Sequence, residues 1–326
     1  MTPPAPHIPK WVAVAFAVIA GVLMAVQARV NGELAVRIDS GIAASVISFG
    51  SGFIILCIIM AVSPTGRRGY RTLLDAIRDR RLSGWFTLAG FVGAFFVLAQ
   101  GLTVGSIGVA LFTVAFVAGL MVGGLFLDLW GIGPAGKRPL SWLRLTATVI
   151  AIGAVTLSVS DRVTETNHVL LMLMPLIMGV FVAWQQAANG RITKTVGTPI
   201  TTTWVNFMVG TGTLLLSMLV LLPWVPVPAE LPSLFSGDYW FYIGGACGVL
   251  FVSITSVVVR VVGLLVVSIA TTIGQLLTSI VLSLLWPGVA PLTWLLFAGA
   301  GLMIVAIVLA AQPSRARSSN SEPNRP

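Results

Sequence analysis

The chain has 326 residues, 57% of them hydrophobic and only 9% charged, with a formal net charge of +9. A water-facing surface takes roughly a quarter charged residues, so the composition excludes an ordinary soluble domain and places the chain in a bilayer. It also argues against a nucleic-acid binder, because the basic residues lie in short stretches between apolar runs.

A spanning helix takes about 20 mainly apolar residues, and on that measure ten spans are predicted. They run 11–28, 41–62, 84–104, 106–129 and 140–159, then 169–188, 198–222, 239–259, 263–285 and 291–311. The head, 1–10, is rich in proline and the tail, 313–326, is polar, so both are expected to be disordered. Val26-Gln27-Ala28 has the form of a leader cleavage site behind a short basic start. Cleavage there would delete a helix whose copy the second half keeps, so the span is expected to stay. Cys57 and Cys247 sit in apolar runs and read as small hydrophobes.

The first and sixth spans carry one motif. Gly21, Gln27, Asn31 and Gly32 recur as Gly179, Gln185, Asn189 and Gly190, an offset of 158 residues. The match continues with Ile42, Phe49 and Gly52 at Ile200, Phe207 and Gly210, while Ser48 stands opposite Asn206. Apolar bias does not align polar residues, so the agreement marks a duplication. At an offset of 155, Trp85, Phe86, Gly90, Gly93, Phe96, Gly108 and Gly119 recur as Trp240, Phe241, Gly245, Gly248, Phe251, Gly263 and Gly274. Pro139 and Trp142 recur as Pro291 and Trp294. The chain therefore divides at 11–160 and 161–312 into two five-helix repeats.

An odd number of helices per copy sends the second copy into the membrane from the opposite side, and the charges invert accordingly. With both termini in the cytoplasm, Arg67, Arg68, Arg71, Arg78, Arg80 and Arg81 share one inner loop, and the matching outer stretch 223–238 has no Lys or Arg. Of the 19 basic residues, 16 fall inside and Arg29, Arg37 and Arg162 outside, as the positive-inside rule requires. Trp11, Trp85, Trp130, Trp142, Trp224, Trp240, Trp286 and Trp294 fall at predicted span ends, where interfacial rings belong. Trp184 lies deeper, beside Gln185, as a cavity wall or a core aromatic.

The expected fold class is therefore all-α and integral to the membrane, ten helices in two inverted five-helix repeats, both termini cytoplasmic. Such repeats place a shared site near the midplane, and polar groups in hydrocarbon face protein or a wet cavity. The candidates are Gln27, Asn31 and Ser48 in the first copy and Trp184, Gln185, Asn189 and Asn206 in the second, with Gln186 beside them. Gln27 and Asn31, like Gln185 and Asn189, are four apart and share a helix face. They read as a solute site or as polar glue between helices, and the two asparagines alternatively as helix caps. Gln100 and Gln275 lack amide counterparts, an asymmetry suited to an asymmetric solute, and are read with Asp128 and Arg260 as gate or coupling candidates. Asp128 and Arg260, near inner helix ends, read as a gate pair or as interfacial charges.

No acid or base falls at the centre of a predicted span, so a pump built on a buried carboxylate is not expected. The two histidines, His7 and His168, lie far apart and make no metal site, and no nucleophile–base cluster or phosphate loop is present. No cofactor, nucleic acid or enzymatic activity is expected.

Ten helices in two inverted repeats, with Gly-x5-Gln-x3-Asn-Gly in each copy followed by Ser48-Phe49-x2-Gly52 or Asn206-Phe207-x2-Gly210, resemble the drug/metabolite transporter superfamily and its YdcZ-like branch. The resemblance covers nearly the whole chain apart from the two tails. It implies a multi-pass protein of the bacterial cytoplasmic membrane, a secondary transporter with a central cavity framed by the first four helices of each copy. The positions it implies are Gln27, Asn31, Ser48, Gln185, Asn189 and Asn206. Small multidrug exporters of the superfamily use a deep first-helix glutamate, whereas Glu33 lies beyond the predicted first span. That departure favours a small neutral or zwitterionic polar solute over a cation. The expected partners are this solute and the bilayer, with the chain a monomer or a homodimer. The alternative reading is a non-transporting scaffold or accessory subunit of the same fold, its basic loop holding a partner or anionic lipid.

Overall fold

The turns between long helices are written in a few residues. At the first, Asp39 takes a left-handed φ of 48° and Ser40 then caps the next helix by accepting from the Ala43 amide at 3.3 Å. At the offset of 158, Gly197 takes φ 76° and Thr198 caps through the Ile200 amide at 3.3 Å. A left-handed residue followed by a hydroxyl cap both stops one helix and starts the next. Ser63 ends one helix and caps another through the Gly66 amide at 3.1 Å, with Pro64 following in the first turn, where its missing N–H costs nothing.

The computed structural model describes residues 9–130, 142–160, 166–223, 228, 230–233, 237–262, 264–286 and 293–311. Every regular element among them is helical: α1 (Lys10–Arg37), α2 (Gly41–Val62), α3 (Pro64–Arg78), α4 (Ala89–Ile107), α5 (Val109–Trp130), α6 (Trp142–Val159), α7 (Thr166–Val196), α8 (Pro199–Leu221), α9 (Gly244–Val262), α10 (Leu264–Leu285) and α11 (Trp294–Ala311). Short 3-10 turns, Gly84–Leu88 and Asp238–Tyr242, lead toward α4 and α9. Among the described residues, seven helices are long and apolar enough to cross a membrane, and α6, α9 and α11 contain shorter apolar helices.

Large apolar side chains face outward, as lipid permits and water does not: Ile54, Ile58 and Val62 on α2, Leu215, Leu216 and Leu219 on α8, Val149 and Ile152 on α6. The interior is filled by small residues and a few rings, Phe112 and Phe116 above all. Contacts come in matched pairs. α1 packs on α10 as α7 packs on α5, α1 lies on α9 as α7 lies on α4, and α2 meets α8 at the centre. Small residues allow the closest of these crossings. A methyl group on Gly21 would overlap the Thr271 carbonyl oxygen, and one on Gly179 that of Phe116. From the other side, a methyl on Gly274 would overlap the Val18 carbonyl oxygen and one on Gly119 that of Leu176.

Several expectations are corrected here. The first span does not end at residue 28 nor the sixth at 188: α1 runs on to Arg37 and α7 to Val196. Arg29 and Glu33 stop a hydropathy count, yet they pair four residues apart along α1 and keep the helix going. Asn31 and Asn189 are therefore interior helical residues and not caps. The inner arginine segment is not an irregular loop but the amphipathic α3. Gly66, Gly69, Leu73 and Ala76 form its buried face, and the Thr201 hydroxyl donates to the Gly66 carbonyl at 2.9 Å. Arg67, Arg68, Arg71 and Arg78 are exposed. The head as far as residue 8, the tail from residue 312, and Trp224, Arg162, Lys137 and Arg138 lie outside the described residues.

Candidate functional site

The centre of the bundle is an aromatic pair. Phe49 of α2 and Phe207 of α8 stack with centroids 4.8 Å apart and 28° between planes. Each ring is admitted by a glycine of the other helix, since a methyl on Gly52 would run into Phe207 and one on Gly210 into Phe49. On either side of the stack an amide lies against bare backbone. The Gln185 Nε2 is 2.7 Å from where a Cβ on Gly93 would stand, and the Gln27 Nε2 is 3.0 Å from the same point on Gly248. The glycines at 93 and 248 thus make room for the glutamines at 185 and 27, each pair joining one half of the chain to the other.

Beyond this shared frame the two halves differ. On the first side Asn31 Nδ2 donates to Gln100 Oε1 at 2.7 Å, and neither residue has any exposed surface. Asn31 Oδ1, Gln100 Nε2 and the Ser48 hydroxyl are buried without a partner. Asn31 Oδ1 and Ser48 Oγ converge on the same face of Gly244. A buried polar atom left unpaired costs about 1–3 kcal/mol, so three together call for an explanation. On the second side the polar atoms satisfy one another. Gln185 donates to Asn206 Oδ1 at 3.2 Å, and Asn206 Nδ2 donates to Asn189 Oδ1 at 2.7 Å and to the Thr202 carbonyl at 2.9 Å.

The structure thus joins Asn31 to Gln100, sets Ser48 near Asn31 across Gly244, and gathers Gln185, Asn189 and Asn206. Gln100, expected from sequence as a possible gate or coupling residue, belongs to the first cluster. Trp184 is half-buried and its ring lies on Trp85, centroids 4.8 Å apart. Gln186 is exposed. Gln275 is 3% exposed on α10, where its backbone meets Gly21, and its Nε2 is unpaired. Asp128 and Arg260 are placed on α5 and α9, but their side chains lie outside the described residues.

Two features escaped the sequence reading. One is the Arg29–Glu33 ion pair, with the Arg29 side chain 11% and that of Glu33 35% exposed. The pair lies within α1, beside Asn31 and past the helix centre. The four-residue spacing was its signal. The other is the Thr193–Thr202 hydroxyl contact at 2.8 Å, one turn beyond Asn189, which carried no signal in the repeat.

A bundle of long apolar helices that turns aliphatic side chains outward defines a class, the multi-pass membrane proteins. The family model described as "Putative inner membrane exporter, YdcZ" matches residues 12–157 and 170–309. The chain belongs to this YdcZ family of the drug/metabolite transporter superfamily. No curated protein matches it. A solved structure described as "Crystal structure of protein" is similar over 92% of this chain and 96% of that one, with a TM-score of 0.54 at 14% identity, a likeness of fold alone.

Proposed function

We propose that the chain is a secondary transporter that moves a small neutral or zwitterionic polar metabolite across the cytoplasmic membrane by alternating access. The reading takes the ten apolar helices as two inverted five-helix repeats with both termini in the cytoplasm. The family match in two stretches, the matched pairs of helix crossings and the arginines of α3 support that arrangement. The observation that carries the function is the group of unpaired buried atoms, Asn31 Oδ1, Ser48 Oγ and Gln100 Nε2. They offer an acceptor, a hydroxyl and a donor without net charge, the complement of an amide, hydroxyl or amino-acid backbone. Gln27 and Gln185 flank the Phe49–Phe207 stack on its two sides, one from each half. The family's description favours export.

A thermal-shift screen of the purified protein against neutral and zwitterionic metabolites tests this. A ligand at a hundredfold excess over Kd adds about 2.7 kcal/mol to folded-state stability. We expect a stabilising solute whose effect disappears in Gln27→Ala/Gln185→Ala while that variant still folds. A shift retained in full by the double variant would move the site elsewhere. Stabilisation by anionic lipid alone, with no solute, would favour the scaffold.

A further inference from the structure

The matched crossings have one large exception. α1 packs closely on α4, whereas α7 and α9, which stand at the same places in the second half, make no corresponding crossing among the described residues. The α1–α4 contact lies at the end of the bundle away from α3 and is built from glycines. A methyl on Gly32 would stand 2.6 Å from Val104 Cγ1 and one on Gly105 2.5 Å from Val36 Cγ2, while at the adjoining start of α2 one on Gly41 would stand 2.7 Å from Leu102 Cδ2 and one on Gly101 2.8 Å from the Gly41 carbonyl oxygen. The Asn31–Gln100 hydrogen bond runs across this contact.

The second half keeps Gly32 and Val104 as Gly190 and Val259 but not the residues around them. At the offsets of 158 and 155, Gly41, Gly101 and Gly105 become Pro199, Ser256 and Arg260, Val36 becomes Lys194, and Gln100 becomes Thr255. Closing α7 on α9 in the register of α1 on α4 would thread larger residues through a glycine seam and bring two cationic positions, 194 and 260, together. Asn189, lacking a glutamine opposite, turns to Asn206 instead.

Resting on the transport reading above, we infer that the α1–α4 crossing is the outer gate, latched by Asn31 and Gln100, and that the unliganded protein rests with this gate shut and the α7–α9 side open to the cytoplasm. The unpaired Asn31 Oδ1 and Gln100 Nε2 belong to the latch side chains and Ser48 Oγ lies near Asn31, so opening the latch wets three polar atoms that the shut state leaves unsatisfied. The gate is thereby shut by close packing and primed to open by polar strain.

The seam provides its own test. A Cβ on Gly105 would stand 4.0 Å from Val36 Cβ, within the span of a disulfide. In a background with Cys57→Ala and Cys247→Ala, the pair Val36→Cys/Gly105→Cys is expected to cross-link under mild oxidation in nearly every unliganded molecule. The matching pair Lys194→Cys/Arg260→Cys should stay reduced and react with a membrane-impermeant maleimide from the cytoplasmic face. In the same background, Gln100→Ala should raise labelling of Gln27→Cys from the outer face about fivefold, the shift that one ordinary hydrogen bond gives. A Val36/Gly105 pair that stays reduced, or a 194/260 pair that closes first, overturns the gate assignment. These readouts need no solute. If the seam cross-links as expected and oxidation leaves measured transport unchanged, the gate is refuted while the transport reading stands; if the seam closes and no solute ever stabilises the protein, the transport reading fails.

Discussion

Replacing any one of Gly21, Gly119, Gly179 or Gly274 with leucine is expected to abolish folded protein, although the four lie in four different helices. At each, a single methyl already overlaps a backbone carbonyl of the partner helix. A carbonyl oxygen held in a helix cannot rotate aside as a side chain does, so the helices must separate. In the α1–α10 and α5–α7 crossings, separation opens a seam along two long helices and not just a local gap. Overpacking a well-filled interior costs about 1–3 kcal/mol and occasionally more, and a whole leucine against backbone, which parts two long helices, lies above that range. Leucine at Gly50, Gly124, Gly212 or Gly301, where a Cβ meets nothing within 4 Å, is the control and should leave the melting temperature in detergent nearly unchanged. Alanine at the four crossings should give intermediate losses. Equal tolerance at crossing and control glycines would refute the packing described for α1 with α10 and α5 with α7.

Gly21 with Gly179 and Gly119 with Gly274 were visible in the sequence as repeat partners, and the structure gives the reason: each pair makes the same crossing in the two halves. Gln27, Asn31, Gln185 and Asn189 were legible on the same grounds, because an amide inside an apolar run at a four-residue spacing stands out against hydrophobic background. The Asn31–Gln100 contact was not legible. Its partners are 69 residues apart, and the repeat sets Gln100 opposite Thr255, so duplication gave no hint of it. α3 was missed for a different reason. Its arginines lower the local hydropathy, and a count of apolar residues passes over Gly66, Gly69, Leu73 and Ala76, whose helical spacing makes one buried face. The length of α1 was underestimated because Arg29 and Glu33 each read as the end of a span when taken singly, whereas paired along the helix they cost far less.

Asn206→Leu is expected to cost about 2 kcal/mol or more of stability, while Ser48→Ala at the matching position costs almost nothing or stabilises. Asn206 holds the second cluster together through Gln185, Asn189 and the Thr202 carbonyl. Hydrogen bonds between helices in a membrane average about 0.6 kcal/mol and reach about 1.7. Leucine removes the side-chain half of three contacts and leaves the Gln185 amide and the Asn189 carbonyl oxygen facing a hydrocarbon group. Ser48 presents the opposite case, since its hydroxyl is buried and unpartnered and its removal relieves an unsatisfied group. Function should rank the two the other way. Ser48→Ala deletes one of the three polar atoms offered to the solute and should weaken ligand-induced stabilisation severalfold without loss of fold. Urea or thermal melts of both variants, with and without a stabilising solute, check the pair of expectations. If Asn206→Leu proved harmless and Ser48→Ala destabilising, the second cluster would be the open one and the roles of the two halves would have to be exchanged.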